Sequence, residues 1–184
     1  MKVIGIVGLP ASGKGEFSRI AAAMGIPVVV MGDVIREAVK AAGLPVTDQN
    51  MGNVANALRK EGGMAAIAER SLSAIEAEKA DVVLVDGIRG DAEVWRFRDH
   101  FPEFVLVGVD APFATRLARL SVRNRDDDVH DAADLIARDS REISWGLGRA
   151  LALADHLIMN DSSMEEFEKK VRHLITAIME EPCE

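Results

Sequence analysis

The strongest chemical signal in this chain lies near its amino terminus. Gly8-Leu9-Pro10-Ala11-Ser12-Gly13-Lys14 fits the spacing G-x-x-x-x-G-K, with Gly15 and Glu16 next. Glycines so spaced let the backbone wrap until several N–H groups point at one anion, and a helix starting near Gly13 adds partial positive charge. The lysine would reach the β- and γ-phosphates of a nucleoside triphosphate and neutralise charge that moves during transfer. The segment from Gly8 to Gly15 is therefore the expected ATP-binding loop. Glycine follows the lysine, at the place where Ser or Thr usually offers a hydroxyl to Mg²⁺. Two readings of Glu16 stay open: a hard-oxygen ligand for Mg²⁺, or a first-turn acid that complements the helix dipole.

Asp81-Val82-Val83-Leu84-Val85-Asp86 is an apolar run ending in a carboxylate. Beside a phosphate loop such an aspartate holds the metal, often through its water. Capping of the following turn is its other role. Arg89 follows shortly after, and Arg36 stands one helical turn beyond Gly32-Asp33. A guanidinium binds phosphate bidentately, so these two arginines are candidates for gripping the phosphate of an acceptor. Otherwise each is a solvated surface arginine. Arg116, Arg119, Arg123 and Arg125 crowd one stretch, and Arg138 and Arg141 lie beyond Asp126-Asp127-Asp128. Positions 116, 119 and 123 share a helix face. Arginine concentrated in an acidic chain points to a bound anion, and consecutive aspartates would keep such a segment open without ligand, as a lid requires. A salt-bridged surface hairpin is the competing reading.

Short apolar runs that alternate with helical patterns must position these residues. Strands are expected at 2–7, 28–31, 81–86, 104–110 and 156–159. Helices are expected at 14–24, from 33 to about 43, over 50–78 with a break at Gly62-Gly63, from Pro112, over 131–152, and from 163 to about 179. The strands are continuously apolar, which suits a parallel sheet buried on both faces. Strand–helix alternation then gives a three-layer α/β sandwich of βαβ units. Ligands bind such sheets beyond the carboxyl ends of the strands, which here carry Gly8, Asp33, Asp86, Asp110 and Asn160.

Bulk composition narrows the function classes. A length of 184 residues with 48% apolar side chains argues for one domain with a sizeable core. The formal net charge of −8 disfavours non-specific nucleic-acid binding, which needs a basic face. The lone Cys183 can form no internal disulfide, so a reducing, cytoplasmic setting is expected. The apolar start is short and broken by glycine, so neither a leader nor a membrane span is expected.

Together these residues resemble the adenylate kinase branch of the P-loop kinases over nearly the whole chain. Gly8 to Gly15 is similar to the loop G-x-P-G-x-G-K-G-T, Gly32-Asp33-Val34-Ile35-Arg36 to G-D-M-L-R, and Asp86-Gly87-Ile88-Arg89 to D-G-F-P-R. The resemblance implies acceptor roles for Asp33, Arg36 and Arg89. It implies donor roles for Arg119, near the base, and for Arg123, near the phosphates. Arg125-Asp126-Asp127-Asp128 followed by Arg138 resembles the R-x-D-D…R pattern that closes a lid over the phosphates, which implies a catalytic part for Arg123 and Arg138 beside Lys14. Ala154 to Asn160 is more similar to the late strand of dephospho-coenzyme A kinases, and Asn160 falls on the donor side.

The overall pattern also resembles an archaeal adenylate-kinase-related family, which implies the fold and leaves the acceptor open. The implied fold is a P-loop sandwich with strand order 2-3-1-4-5, a helical acceptor region over about 34–78 and a short lid over about 123–138. Ala11 and Glu16 depart from the family's glycine and threonine, and Asp91-Ala92-Glu93-Val94 contains no glutamine to read an acceptor adenine. Transfer of the ATP γ-phosphoryl group to a small phosphorylated acceptor, foremost a nucleoside monophosphate, is the expected activity, with Mg²⁺. Dephospho-coenzyme A is the alternative acceptor. An NTP hydrolase or nucleotide-dependent switch, and an RNA-associated factor, are the rival classes.

Overall fold

A computed structural model describes residues 1–123 and 131–181, with side chains left undescribed at 121–123. The elements run β1 (Lys2–Val7), α1 (Lys14–Ala23), β2 (Val28–Val30), α2 (Met31–Ala41), α3 (Asp48–Gly62), α4 (Ala66–Ala77) and β3 (Val82–Ile88). They continue with α5 (Asp91–His100), β4 (Phe104–Asp110), α6 (Phe113–Arg123), α7 (Ala132–Ser144), α8 (Leu147–Ala152), β5 (His156–Met159) and α9 (Met164–Glu180). The strands form one parallel sheet in the order β2-β3-β1-β4-β5, as the resemblance implies.

Period-two alternation divides the side chains of β1 between two cores. Ile4 and Ile6 pack with Leu84, Val107 and Val109 under Phe17 and Ile20 of α1 and Phe167, Val171 and Ile175 of α9. Val3 and Val7 face the opposite way, with Val83, Val85 and Leu106, toward α2, α4, α5 and α8. Burial of the central strand on both faces is why its sequence is continuously apolar.

Three local departures from the sequence reading have physical causes. First, β3 continues beyond Asp86 to Ile88. Ile6 pairs with Asp86 but Val7 pairs with Ile88, so the ladder bulges at Gly87, whose φ is 102°. Second, α5 fills a stretch where no element was expected. Its buried apolar residues are only Val94 and Phe97, while Trp95 stays exposed. Acids in its first turn and Arg98 and His100 in its last favour a helix through the dipole rather than through periodicity. Third, the single helix expected over 131–152 is two. Gly146 takes φ 101° between α7 and α8, and a Cβ there would lie 2.2 Å from Asp91 Oδ1.

Candidate active site

At the carboxyl edge of the sheet lies a cleft of about 580 Å³. Its floor is the turn from β1 into α1. Gly13 sits there at φ 117°, and a Cβ on it would fall 2.1 Å from the Asn160 side-chain nitrogen, so both backbone and space demand glycine. Ala11 takes φ 60°, a left-handed conformation that costs about 1–2 kcal/mol for a side-chain-bearing residue, at the position where adenylate kinases carry glycine. Lys14 Nζ donates to the carbonyl oxygens of Gly8 (2.5 Å) and Leu9 (3.0 Å). The Lys14 pKa is lowered from 10.5 to about 8, chiefly by burial and then by Arg89, with a smaller push from Arg138 and with Glu142 and Asp86 acting the other way. An ammonium held so poorly by its surroundings gains much from a phosphate.

Asp86 lines the same cleft, and its Oδ2 accepts from Ser18 Oγ at 2.8 Å. The Ser18 hydroxyl thus sits one helical turn beyond Lys14 and orients the carboxylate. Glu16 also lines the cleft, but its Oε1 accepts from Arg19 Nε at 2.9 Å. Glu16 is therefore tied to its own helix, and both readings of it survive. The described residues hold no cluster of three or more ligating side chains. A half-buried carboxylate steadied by a hydroxyl beside Lys14 still suits Mg²⁺, which takes one or two carboxylates plus phosphate oxygens.

Arg36 of α2, Arg89 of the turn after β3 and Arg138 of α7 come together in this cleft. Arg36 NH1 meets Asp33 Oδ1 at 2.5 Å, while Asp33 itself is exposed and off the cleft wall. Arg89 is anchored by its backbone N–H, which donates to Glu93 Oε2 at 2.7 Å. Glu93 is fully buried and also takes Arg59 NH2 at 2.9 Å, so the stretch without a base-reading glutamine instead supports Arg89. Burial pushes the Glu93 carboxyl up despite Arg59.

Arg119 and Asn160 brace the phosphate loop from outside. Arg119 NH1 donates to Ser12 O (3.2 Å), and its NH2 to Asn160 Oδ1 (2.9 Å). Asn160 is 2% exposed and spends its amide nitrogen on Ser12 O at 2.9 Å, so it holds the loop rather than facing a base. Arg116 faces away from any ligand: it is buried, binds Pro10 O at 3.1 Å and grips Asp139 with both nitrogens. The side chain of Arg123, and Arg125 with the aspartates that follow it, lie outside the described residues.

The sequence reading passed over Asp48, Glu142 and Trp145 and gave Arg141 no role in the site. All four line the cleft. Arg138, Arg141 and Glu142 of α7 and Trp145 at its C-cap recur at i, i+3, i+4 and i+7, a spacing that marks one helix face. Arg141 NH2 binds both oxygens of Asp48 (2.8 and 2.9 Å), and Arg138 Nε lies 3.4 Å from Asp48 Oδ1, tying α7 to α3. Trp145 donates to Asn56 Oδ1 at 2.7 Å, with the Arg59 guanidinium 4.3 Å from its ring centre. Glu142 is paired with Arg89 and accepts from Arg138 Nε at 3.2 Å. Burial pushes its carboxyl up, but Arg89, Arg138 and Lys14 outweigh that and hold it below the ordinary range.

Comparison with known proteins bears on this arrangement. The family model described as AAA domain matches residues 7–135. A UPF0200 protein of Methanoregula boonei is 59% identical over 182 residues, covering 99% of this chain and 100% of that protein. Among solved structures, TT1252 from Thermus thermophilus superposes with a TM-score of 0.67 at 16% identity, over 96% of this chain and 97% of that one. Shikimate kinase from Acinetobacter baumannii in complex with shikimate gives 0.60 at 14% identity, over 98% and 96%. At such identities the structural likeness establishes the P-loop kinase fold.

Proposed function

The chain belongs to the UPF0200 family and carries an AAA domain, and from that footing we propose that it transfers the γ-phosphoryl group of ATP to a small phosphorylated acceptor. One observation carries the reading. In a chain of formal net charge −8, the cleft above the phosphate loop gathers seven basic side chains against four carboxylates. Such local inversion of charge serves a ligand with more than one anionic group. A hydrolase needs charge around the triphosphate alone, whereas a kinase must also offset repulsion between donor and acceptor.

In this reading the wrapped loop from Gly8 to Gly15 holds the β- and γ-phosphates, and Lys14 leaves the carbonyls of Gly8 and Leu9 for them. Arg36 and Arg89 hold the acceptor phosphate in line. Arg138, with Arg123 from beyond the described side chains, neutralises charge on the transferring group. Arg119 serves the donor, with Asn160 behind it. Asp86, oriented by Ser18, would hold Mg²⁺, with Glu16 as a further oxygen donor; the ion would supply charge neutralisation at the phosphates. Catalysis comes from positioning and electrostatics. A nucleoside monophosphate is the favoured acceptor. No described helix is long and apolar enough to cross a membrane, and the lone cysteine fits the cytoplasm.

The test is a panel of nucleotide, coenzyme and sugar-phosphate acceptors with ATP and Mg²⁺, scored for phosphorylated products. Arg36→Ala and Arg89→Ala should each raise the acceptor KM roughly 10- to 150-fold, with a far smaller change in ATP affinity. If the panel yields only ADP and free phosphate, and both variants match wild type, the protein is a hydrolase or switch.

A further inference from the structure

The buried arginine–carboxylate pairs of this chain are not alike. Arg116 grips both oxygens of Asp139, at 3.0 and 2.7 Å. Glu93 is likewise engaged on both oxygens, one by Arg59 and the other by the Arg89 backbone. Glu142 differs. It is 1% exposed, yet Arg89 and Arg138 both meet the same oxygen, Oε1. Its Oε2 is buried and has no hydrogen-bond partner among the described residues.

A contact through one oxygen lacks the second bond that makes a forked arginine pair strong. Arg89 is also the member best able to leave. Glu93 pins its backbone, while its side chain stays 21% exposed in the cleft. After its departure Glu142 would still have Arg138, so no buried charge is left unpaired.

We propose that Glu142 is an internal counter-ion that occupies Arg89 until an incoming phosphate replaces it, and that it thereby determines which anions the acceptor site takes. A singly charged carboxylate would replace Glu142 like for like and still be repelled by it. A phosphate dianion brings a second charge for the other basic side chains of the cleft, which a carboxylate lacks, so it wins the exchange. This rests on the reading of Arg89 as a phosphate-gripping residue.

Calorimetric titration of the full chain, saturated with ADP and Mg²⁺, with inorganic phosphate and with formate tests the idea, at a pH where phosphate is mostly the dianion. Wild type should bind phosphate and not formate. Glu142→Gln should bind phosphate roughly tenfold tighter or more, should now bind formate, and should keep its ADP affinity. Phosphate affinity that is unchanged or weaker in Glu142→Gln overturns the proposal. If wild type binds ADP but no phosphate, the proposal falls while the nucleotide site stands; if it does not bind ADP either, the phosphotransferase reading falls with it. Should the variant not fold, the Arg89 side-chain N–H resonance of the wild type decides. It must shift when phosphate is added to the ADP complex, and an unmoved resonance overturns the proposal.

Discussion

Replacing Lys14 by methionine should stabilise the ligand-free protein while removing its activity. Burial, helped by Arg89 and opposed by Glu142 and Asp86, takes the lysine from 10.5 to about 8, and at about 1.4 kcal/mol per tenfold this is a cost of roughly 3 kcal/mol for keeping the group charged at neutral pH. Methionine has similar length and no charge, so it escapes that cost. It forgoes the bonds to the Gly8 and Leu9 carbonyls, together worth on the order of 1 kcal/mol net. A gain of about 2 kcal/mol remains, or roughly 4–8 °C in Tm for a domain of this size. The pH dependence has a definite sign. The folded form releases the lysine proton near pH 8 and the unfolded chain near 10.5. Between those values the unfolded chain binds more protons, so this group makes wild-type stability rise with pH there. The advantage of the variant should be full below pH 8 and shrink through that window. Thermal unfolding of both proteins at neutral pH and near pH 10 checks this. A variant no more stable than wild type at neutral pH, or a gap that fails to narrow, would refute the argument.

Single-turnover transfer by the same Lys14→Met protein should fall at least a hundredfold, because no other loop residue supplies that charge. Asp86→Asn should raise the Mg²⁺ concentration for half-maximal activity; Glu16→Ala should do so too if Glu16 reaches the metal, and an unchanged Mg²⁺ dependence assigns Glu16 to Arg19 and the helix dipole. Asn160→Ala should weaken ATP binding about tenfold by releasing both Ser12 and Arg119, which equilibrium titration with a fluorescent ATP analogue would measure. Arg116→Ala should cost about 3–5 kcal/mol of stability by leaving Asp139 buried without its partner; chemical denaturation showing under 1 kcal/mol would contradict the buried-bridge assignment.

Much of this protein is written in local sequence. The phosphate loop is legible because its requirements are local: a glycine where the backbone turns to positive φ, a lysine at fixed spacing, and a strand before and a helix after it. The strands are legible because a sheet covered on both faces tolerates only apolar runs. Even the carboxyl-edge positions of Asp86, Arg36 and Arg89 follow from parallel topology, which brings all strand ends to one side.

Partner choice among charged residues is not local, and there only the tertiary structure decides. Arg116 and Arg119 sit three apart on one helix, yet one is sealed against Asp139 and the other braces the loop through Asn160. Their fates depend on α7 and β5, which lie far along the chain. Asp48, Glu142 and Trp145 carry no motif. The spacing from Arg138 to Trp145 marks a shared helix face, but only the long-range ion pairs between α3 and α7 show that this face belongs to the cleft. Glu93 reads as an ordinary first-turn acid until the fold buries it behind Arg89. Local geometry thus determined where phosphates can bind, whereas the balance of charge around them arises only when distant helices meet.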